Sequence, residues 1–302
     1  MSLVEVCIYE GQGIVKSIEE MSFEEILNRS ILLIDKHRGP TSYAIDKFIS
    51  KIFNVKKVGH AGTLDPNASG LLLILFGKAN KAMDIIKSLG KEYVGLAYFH
   101  SEFTKEFLLN TIANKFIGEI IQVPPVRSAV ARRERKRKVY FFDVLEIDGK
   151  NVLFRVKCEA GLYVRKLIHD LGKEMKIGAH LKELRRIKIG DFSVKNAISI
   201  FKLKQIYNDK NEMKKYLIPI DVALAFLKKV FVKDSAIKSI VNGYPLYYQG
   251  IVKVDDEIKS DELVAIYSLN NVLIAVGKSV CSAKELIENK KGMFVKVDKV
   301  FV

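Results

Sequence analysis

Apolar runs and turn-forming stretches alternate along this chain closely enough to predict most of its elements. From Ile31 the run ILLIDKHRGPTS reads as a buried strand, a turn at Gly39-Pro40 and the start of a helix. Thr41 and Ser42 are suitable cap residues, and Ala44, Ile45, Phe48, Ile49 and Ile52 fall on one helical face. Residues 55–70, rich in Gly, Asn, Pro and Asp, predict a loop, and LLLILF at 71–76 a buried strand. Phe107, Leu108, Ile112 and Phe116 predict a helix over 104–117, followed by a Pro-containing loop over 122–138 that becomes very basic. Strand patterns at 139–147 and 151–158 flank the hairpin signal Asp148-Gly149-Lys150. A helix follows around 164–175, LKELRR at 181–186 continues the fold, and 187–196 reads as another strand.

Residues 202–217 are a Lys-rich, polar helical stretch, and the pattern changes after Pro219. Short strands at 251–254, 263–267, 272–276 and 294–301, separated by turns with Gly, Asn and Asp, predict a small β-barrel. The expected organisation is an N-terminal extension over 1–30, one domain over 31–228 and a second over 229–302.

Composition narrows the function. A chain of 302 residues suits one very large domain or two ordinary ones, and 49% hydrophobic residues can bury a sizeable core. The formal charge of +15, from 50 Lys and Arg against 35 Asp and Glu, attracts polyanions and argues against an enzyme for neutral small molecules. A Lys-rich surface of the thermophile kind would give the same excess. Cys7, Cys158 and Cys281 lie far apart with no CxxC pair, which argues against a metal site and suits a reducing compartment. The N-terminus lacks a basic segment followed by an apolar one, and no apolar run approaches a bilayer's thickness. The expectation is a soluble, cytoplasmic protein without a membrane partner.

Four stretches carry candidate chemistry. In VGHAGTLDPNASG at 58–70, Gly59, Gly62 and Pro66 enclose a single carboxylate, Asp65, on a loop leading into a hydrophobic strand. A carboxylate held there can serve as nucleophile or base, or Asp65 can simply organise an Asp-Pro turn. Lys91-Glu92-Tyr93 opens a strand-like run whose aromatic ring either stacks on an exposed base or packs in a sheet. In AGLYVRKLIHDLG at 160–172, Arg165 follows Tyr163 at the start of a helix, where it can fix a carboxylate or sit on the surface. RRERKRK at 132–138 supplies Arg132, Arg133, Arg135, Lys136, Arg137 and Lys138, a run fit for phosphate neutralisation or for a solvated strand end. His60, His169 and His180 are too scattered to suggest a metal.

GHAGTLDPNASGLLLILFGKANK, then KEYVG, then CEAGLYVRKLIHDLG followed by GAHLKELRR, resembles in order the three motifs of the TruB family of pseudouridine synthases. The segment from PPVRSAVARRERKRK to KCEAG resembles the archaeal and eukaryotic dyskerin branch, the catalytic subunit of box H/ACA guide-RNA particles. FVKDSAIKSIVNGYPLYYQGIVKVDDEI, with LVAIYS and AVGKSV, is similar to a PUA domain. Two positions depart from the family pattern, Leu162 where Thr is usual and Val123 where Arg is usual.

The resemblance implies an α+β fold, a mixed and mostly antiparallel sheet with flanking helices and a cleft across it, plus a C-terminal PUA-like barrel. It implies isomerisation of uridine to pseudouridine in RNA without a cofactor. By match, Asp65 is the nucleophile, Tyr93 stacks on the uracil and removes the C5 proton, and Arg165 pairs with Asp65. His60, Tyr163 and Leu184 line the substrate pocket. The branch implies rRNA modification with a guide RNA, a small zinc-ribbon subunit, a glycine/arginine-rich-type subunit and a kink-turn-binding ribosomal-family protein. The alternatives are a guide-independent enzyme for the T-loop uridine of tRNA, and an RNA-binding scaffold without catalysis.

Overall fold

A computed structural model describes residues 2–7, 15–124 and 133–302. Their strands form two sheets, one of eleven strands and one of seven. The larger sheet begins with β1 (Ser30–Lys36), followed by helix α1 (Ser42–Phe53). Thr41 caps α1 by accepting the Ala44 N–H at 3.0 Å, and Asn54 ends it in a left-handed conformation. Next come β2 (Val58–His60), β3 (Ser69–Phe76), β4 (Lys91–Phe99), α2 (Lys105–Lys115), β5 (Gly118–Gln122), β6 (Arg135–Asp148), β7 (Asn151–Cys158), α3 (Val164–Glu174) and β8 (Ala179–Ile189). The spatial order is β1-β3-β8-β4-β7-β6-β5, with a two-residue strand, Ile198–Ser199, outside β1. All neighbours are antiparallel except Ile198–Ser199 against β1 and the junction of β3 with β8.

That parallel junction is narrow: only Ser69 and Gly70 face Arg185 and Arg186. Gly70 has φ +102°, and a Cβ there would lie 2.2 Å from the Arg186 carbonyl oxygen, so no other residue fits. Two hydrophobic clusters flank the junction. One gathers Tyr93, Ala97, Phe154, Val156, Leu167 and Ile168 beneath α2 and α3. The other gathers Ile34, Leu72, Ile74, Ile45 and Ile49 beneath α1. Leu184 packs against both.

The seven-stranded sheet contains β9 (Lys228–Val232), β10 (Ile251–Asp255), β11 (Leu263–Tyr267), β12 (Leu273–Ser279) and β13 (Met293–Val300). Leu3–Glu5 pairs with β10 and Leu246–Tyr247 with β13. This sheet does not stand apart. A third cluster runs from Leu33, Leu71 and Leu73 on the large sheet through Ile220 and Leu224 to Tyr267, Leu273 and Phe301. Inside it Arg29 makes a two-point ion pair with Asp221, at 2.6 and 3.2 Å. Asp221 also accepts the Leu273 N–H at 2.6 Å, and its carbonyl accepts the Tyr267 hydroxyl at 2.8 Å.

The expected α+β architecture is present, with differences at element level. The loop expected over 55–70 contains β2, because Val58, Gly59 and His60 find partners on β3. From Arg135 the basic stretch expected as loop is already strand, paired with β5. The piece expected at 181–186 and the start of the one expected at 187–196 are one strand, β8, which ends at Ile189; after Gly190 at φ 52° the chain turns back as Phe192–Ser193, paired with β8, and Val194–Asn196 is a helical turn. The polar stretch 202–217 holds two short helices, Ile200–Ile206 and Lys210–Lys214. Phe107, expected on the buried face of α2, is 47% exposed, and Ala44 on α1 also faces solvent. No helix among the described residues is long and apolar enough to cross a membrane.

Candidate active site

The loop between β2 and β3 crosses the end of the parallel junction. Ala61, Leu64 and Ala68 are buried, and they hold Asp65, Pro66 and Asn67 outward between them. Ser42 fixes the loop from α1, its hydroxyl donating to the Leu64 carbonyl at 3.0 Å and accepting the Leu64 N–H at 2.9 Å. The His60 ring contacts Asp46 Oδ2 at 2.6 Å and Thr63 Oγ1 at 3.1 Å, so both its nitrogens are engaged in bracing the loop. Gly59 is there for packing rather than for ligand approach, since a Cβ would sit 2.7 Å from Asn80 Oδ1 and 2.8 Å from Met83 Cε.

Asp65 forms an ion pair with Arg165, on the first turn of α3. Two residues earlier, Tyr163 is half-buried at the helix start. Its N–H donates to Gln122 Oε1 at 3.0 Å, and Gln122 Nε2 donates to its carbonyl at 3.3 Å. That side-chain amide supplies the fixed end that the helix otherwise lacks, because Tyr163 makes no side-chain cap. Leu162, one of the departures from the family pattern, is buried with the cluster beneath α2 and α3.

Lys91, Glu92 and Tyr93 alternate across β4. Glu92 is buried on one face, where Arg155 binds it at 2.5 Å. Lys91 and Tyr93 point to the other face, the side of Arg186 and the Asp65 loop. Tyr93 lies opposite Arg186 in the register, close enough for the guanidinium charge to act on the phenol. Burial raises the Tyr93 phenol above its ordinary pKa, while the adjacent Arg186 charge opposes that rise. Burial pushes the Lys91 ammonium down to about 8, although it donates to the Lys87 and Leu89 carbonyls at 2.5 and 2.6 Å. Leu184, opposite Gly95, supplies an apolar wall beside the junction.

Two further cations were invisible as site residues in the sequence. Lys36 is fully buried and donates to the carbonyls of His37 and Pro40, each at 2.9 Å, and more weakly to Pro66 at 3.4 Å. Burial lowers its pKa, and the charge of Asp65 partly restores it. Arg186 is 2% exposed and donates to the Leu71 carbonyl at 2.8 Å and the Gly62 carbonyl at 2.9 Å. A lysine or arginine near a strand end reads as solvated from sequence, so only the closing loops reveal both as interior. Gln122 was missed likewise, its neighbours giving no sign that an amide caps a distant helix.

The structure therefore brings Asp65, Tyr93 and Arg165 together with Leu184, while His60 and Tyr163 brace the elements that carry them. Arg133, Arg135, Lys136, Arg137 and Lys138 lie apart from that group as the start of β6 and the residues before it; Arg132 lies outside the described residues. Lys136 and Lys138 face solvent while Arg135 and Arg137 are half-buried. The Nε atoms of Arg135 and Arg137 are buried without a hydrogen-bond partner among the described residues. Arg137 lies against Gly161, in the turn that leads into α3. Lys138 and Lys157 stand over the ring of exposed Tyr140, at 5.8 and 6.0 Å.

Comparison with known proteins matches three family descriptions in succession. Residues 50–164 match the N-terminal domain of TruB family pseudouridylate synthases, 165–225 the tRNA pseudouridylate synthase B C-terminal domain, and 228–301 the PUA domain. The chain is 41% identical over 286 residues to "Probable tRNA pseudouridine synthase B" of Nanoarchaeum equitans, covering 92% of this chain and 81% of that one. It is 40% identical over 291 residues to the protein of the same name from Thermococcus onnurineus, covering 94% and 87%. A chain of the solved Cbf5-Nop10-Gar1 complex superposes with a TM-score of 0.90 at 38% identity, covering 100% of this chain and 94% of that one. A chain of an H/ACA RNP bound to a substrate RNA containing 2'-deoxyuridine superposes with a TM-score of 0.87 at 35% identity, covering 100% and 94%.

Proposed function

The chain belongs to the TruB family of RNA pseudouridine synthases, and from that premise we propose that Asp65 is the nucleophile of a guide-directed enzyme modifying rRNA. The family membership makes it an isomerase acting on RNA. The observation that carries the site assignment is the outward-held Asp65, paired with Arg165 and close enough to the buried Tyr93 for its charge to act on the phenol.

Each residue then has a task. The target uridine leaves its stack, at a cost of a few kcal/mol, and its base enters between Leu184 and Tyr93. Arg165 holds the Asp65 carboxylate in one direction. Asp65 attacks as the glycosidic bond breaks, the uracil turns, and its C5 bonds to the ribose. Tyr93 takes the C5 proton. His60 and Tyr163 act at one remove, keeping the nucleophile loop and the start of α3 in place. Lys136 and Lys138 turn outward toward RNA phosphates, with the half-buried Arg135 and Arg137 adding to the positive field behind them. Arg132 and Arg133 extend the same run in sequence.

Guide dependence is supported by the end-to-end likeness to chains solved within H/ACA particles. By that likeness the partners are a guide RNA together with proteins of the Nop10 and Gar1 kinds, with the barrel gripping the guide. A domain boundary near residue 229 assigns that barrel to 229–302 and the catalytic unit to 31–228. A cytoplasmic setting agrees with the three free cysteines. The second reading, a standalone enzyme for the T-loop uridine of tRNA, is favoured by the name shared by the curated relatives. Pseudouridine mapping decides between them. Purified chain should leave bare tRNA largely unconverted and convert an rRNA target only when guide RNA and the small subunits are added. Full conversion of bare tRNA by the chain alone would overturn the guide-directed reading.

A further inference from the structure

We propose that Arg186 is a positioning residue for this reaction: its guanidinium ties the Asp65 loop to the sheet and sets a fixed positive charge beside Tyr93, which lies opposite it on the neighbouring strand. The inference deepens the reading of Tyr93 as the base and rests on it.

Among the described residues two arginines, Arg29 and Arg186, are deeply buried, and their surroundings differ. Arg29 is neutralised by a two-point ion pair with Asp221. Arg186 is as deeply buried, yet among the described residues its side chain forms no ion pair and donates only to the carbonyl oxygens of Leu71 and Gly62. A buried, unneutralised guanidinium costs stability. Lys36 and Lys91 add to that cost, since the Arg186 charge depresses both ammonium groups. Three cations, Lys36, Arg165 and Arg186, thus act on one carboxylate, Asp65, and one phenol, Tyr93, with Lys91 close to Arg186. The other titratable group facing Tyr93 is the Cys158 thiol, which burial pushes up to about 12 and so keeps neutral.

The contacts of Arg186 also explain why the charge sits there. Its Nε is bound to β3 through Leu71, and one terminal nitrogen to the nucleophile loop through Gly62. Its backbone is held at the parallel junction by Gly70, a position that only glycine can occupy. The guanidinium therefore has fixed distances to the loop that carries Asp65 and to the strand that carries Tyr93.

A phenol must be ionised to act as a base, and burial opposes ionisation. A neighbouring fixed cation offsets that penalty. In the step itself, the C5 proton passes to the Tyr93 phenolate and the C5–H electron pair forms the C5–C6 double bond. The electron pair displaced onto N1 takes a proton from water, and Tyr93 later returns its proton to solvent. One proton is lost from C5 and one gained at N1, with no oxidant or reductant.

The test uses the full chain assembled with guide RNA and the small subunits, under single-turnover conditions, on RNA whose target uridine carries deuterium at C5. Arg186→Gln removes the charge, and Arg186→Lys keeps it. RNA affinity should be unchanged in both. Arg186→Gln should lose about 100-fold in rate, the scale of one acid–base contribution, with an increased deuterium effect and a pH–rate limb moved to higher pH. Arg186→Lys should recover most of the rate, and a fluorinated, more acidic tyrosine at position 93 should rescue either variant. Unshifted pH and isotope profiles in Arg186→Gln would reduce Arg186 to a structural clamp. If that variant does not fold, the same two profiles in Arg186→Lys decide. Full turnover by Tyr93→Phe would instead sink the assignment of Tyr93 as base, whatever the Arg186 variants do.

Discussion

Arg165 and Asp65 meet as an ion pair although both side chains are more than half exposed, at 61% and 55%. An exposed pair of this kind contributes about 0–1 kcal/mol to stability. Its use therefore lies in directing the carboxylate. Arg165→Met should leave the melting temperature within a few degrees of the parent and lower single-turnover rates by about 100-fold, the scale of one missing electrostatic interaction at a reacting centre. Calorimetry beside a rate assay checks this, and a large stability loss with normal turnover would count against it.

Asp65→Ala should give no detectable pseudouridine while retaining RNA affinity, because the loop is held by Ser42, Leu64 and Ala68 rather than by Asp65 itself. Product mapping and a binding titration on the same preparation test both halves. Continued product formation at the parent rate would remove Asp65 from the mechanism and leave the scaffold reading in its place.

Asp221→Ala should be the most damaging single change outside the pocket. It leaves Arg29 buried with its ion-pair partner gone, a loss of about 3–5 kcal/mol, and also frees the Leu273 N–H. Urea unfolding should show the lower midpoint, and protease cleavage between the two sheets should accelerate. Unaltered stability would mean that the apolar cluster alone carries the joint.

Neutralising Arg135, Lys136, Arg137 and Lys138 together should weaken RNA binding and flatten its dependence on salt. For every phosphate that goes unneutralised, the slope of log affinity against log salt concentration should fall by about 0.7–0.9. The exposed Lys136 and Lys138 should account for more of the effect than the half-buried Arg135 and Arg137. A slope that does not move would identify the run as a solvated strand end.

Lys91 gives a pH prediction of definite sign. Its folded pKa of about 8 lies below the ordinary 10.5, so between those values the unfolded chain holds the proton that the folded chain has shed. Stability from this group therefore rises with pH through that window, by on the order of 1 kcal/mol per pH unit, and its burial cost is carried in full below pH 8. The difference in stability between the parent and Lys91→Met should move in the parent's favour from pH 8 to pH 10. A constant difference would show that the two carbonyl contacts keep Lys91 charged throughout.

Part of this site was legible from residues alone and part was not, for physical reasons. Asp65 stood out because glycines and a proline isolate it before an apolar run, and its neighbours in sequence are also its supports. Tyr93 and Arg165 lie 28 and 100 positions further on, and no local period connects them to it. Their assignment came from motif resemblance, and the geometry of the ion pair to Arg165 came only from the structure. Lys36, Arg186 and Gln122 became interior through loops that close over them, so their charge or polarity misdirected a reading based on periodicity. The basic run reads as loop because prolines precede it, yet β5 offers its backbone a partner. Strand β8 reads as two pieces because charged side chains on both faces, Lys182, Glu183, Arg185 and Arg186 among them, interrupt the apolar pattern.

The interior shared by the two sheets has a consequence for how such an enzyme chooses where to act. On the proposed function, a part that grips RNA and a part that alters it share one apolar interior through Ile220, Leu224 and Phe301, which resists any sliding of one on the other. The interval between grip and chemistry becomes a dimension of the protein, like the gap of a caliper. On that reading, an RNA that is to be altered must bring its own uridine to that mark, and the fold selects by length before a single base is read.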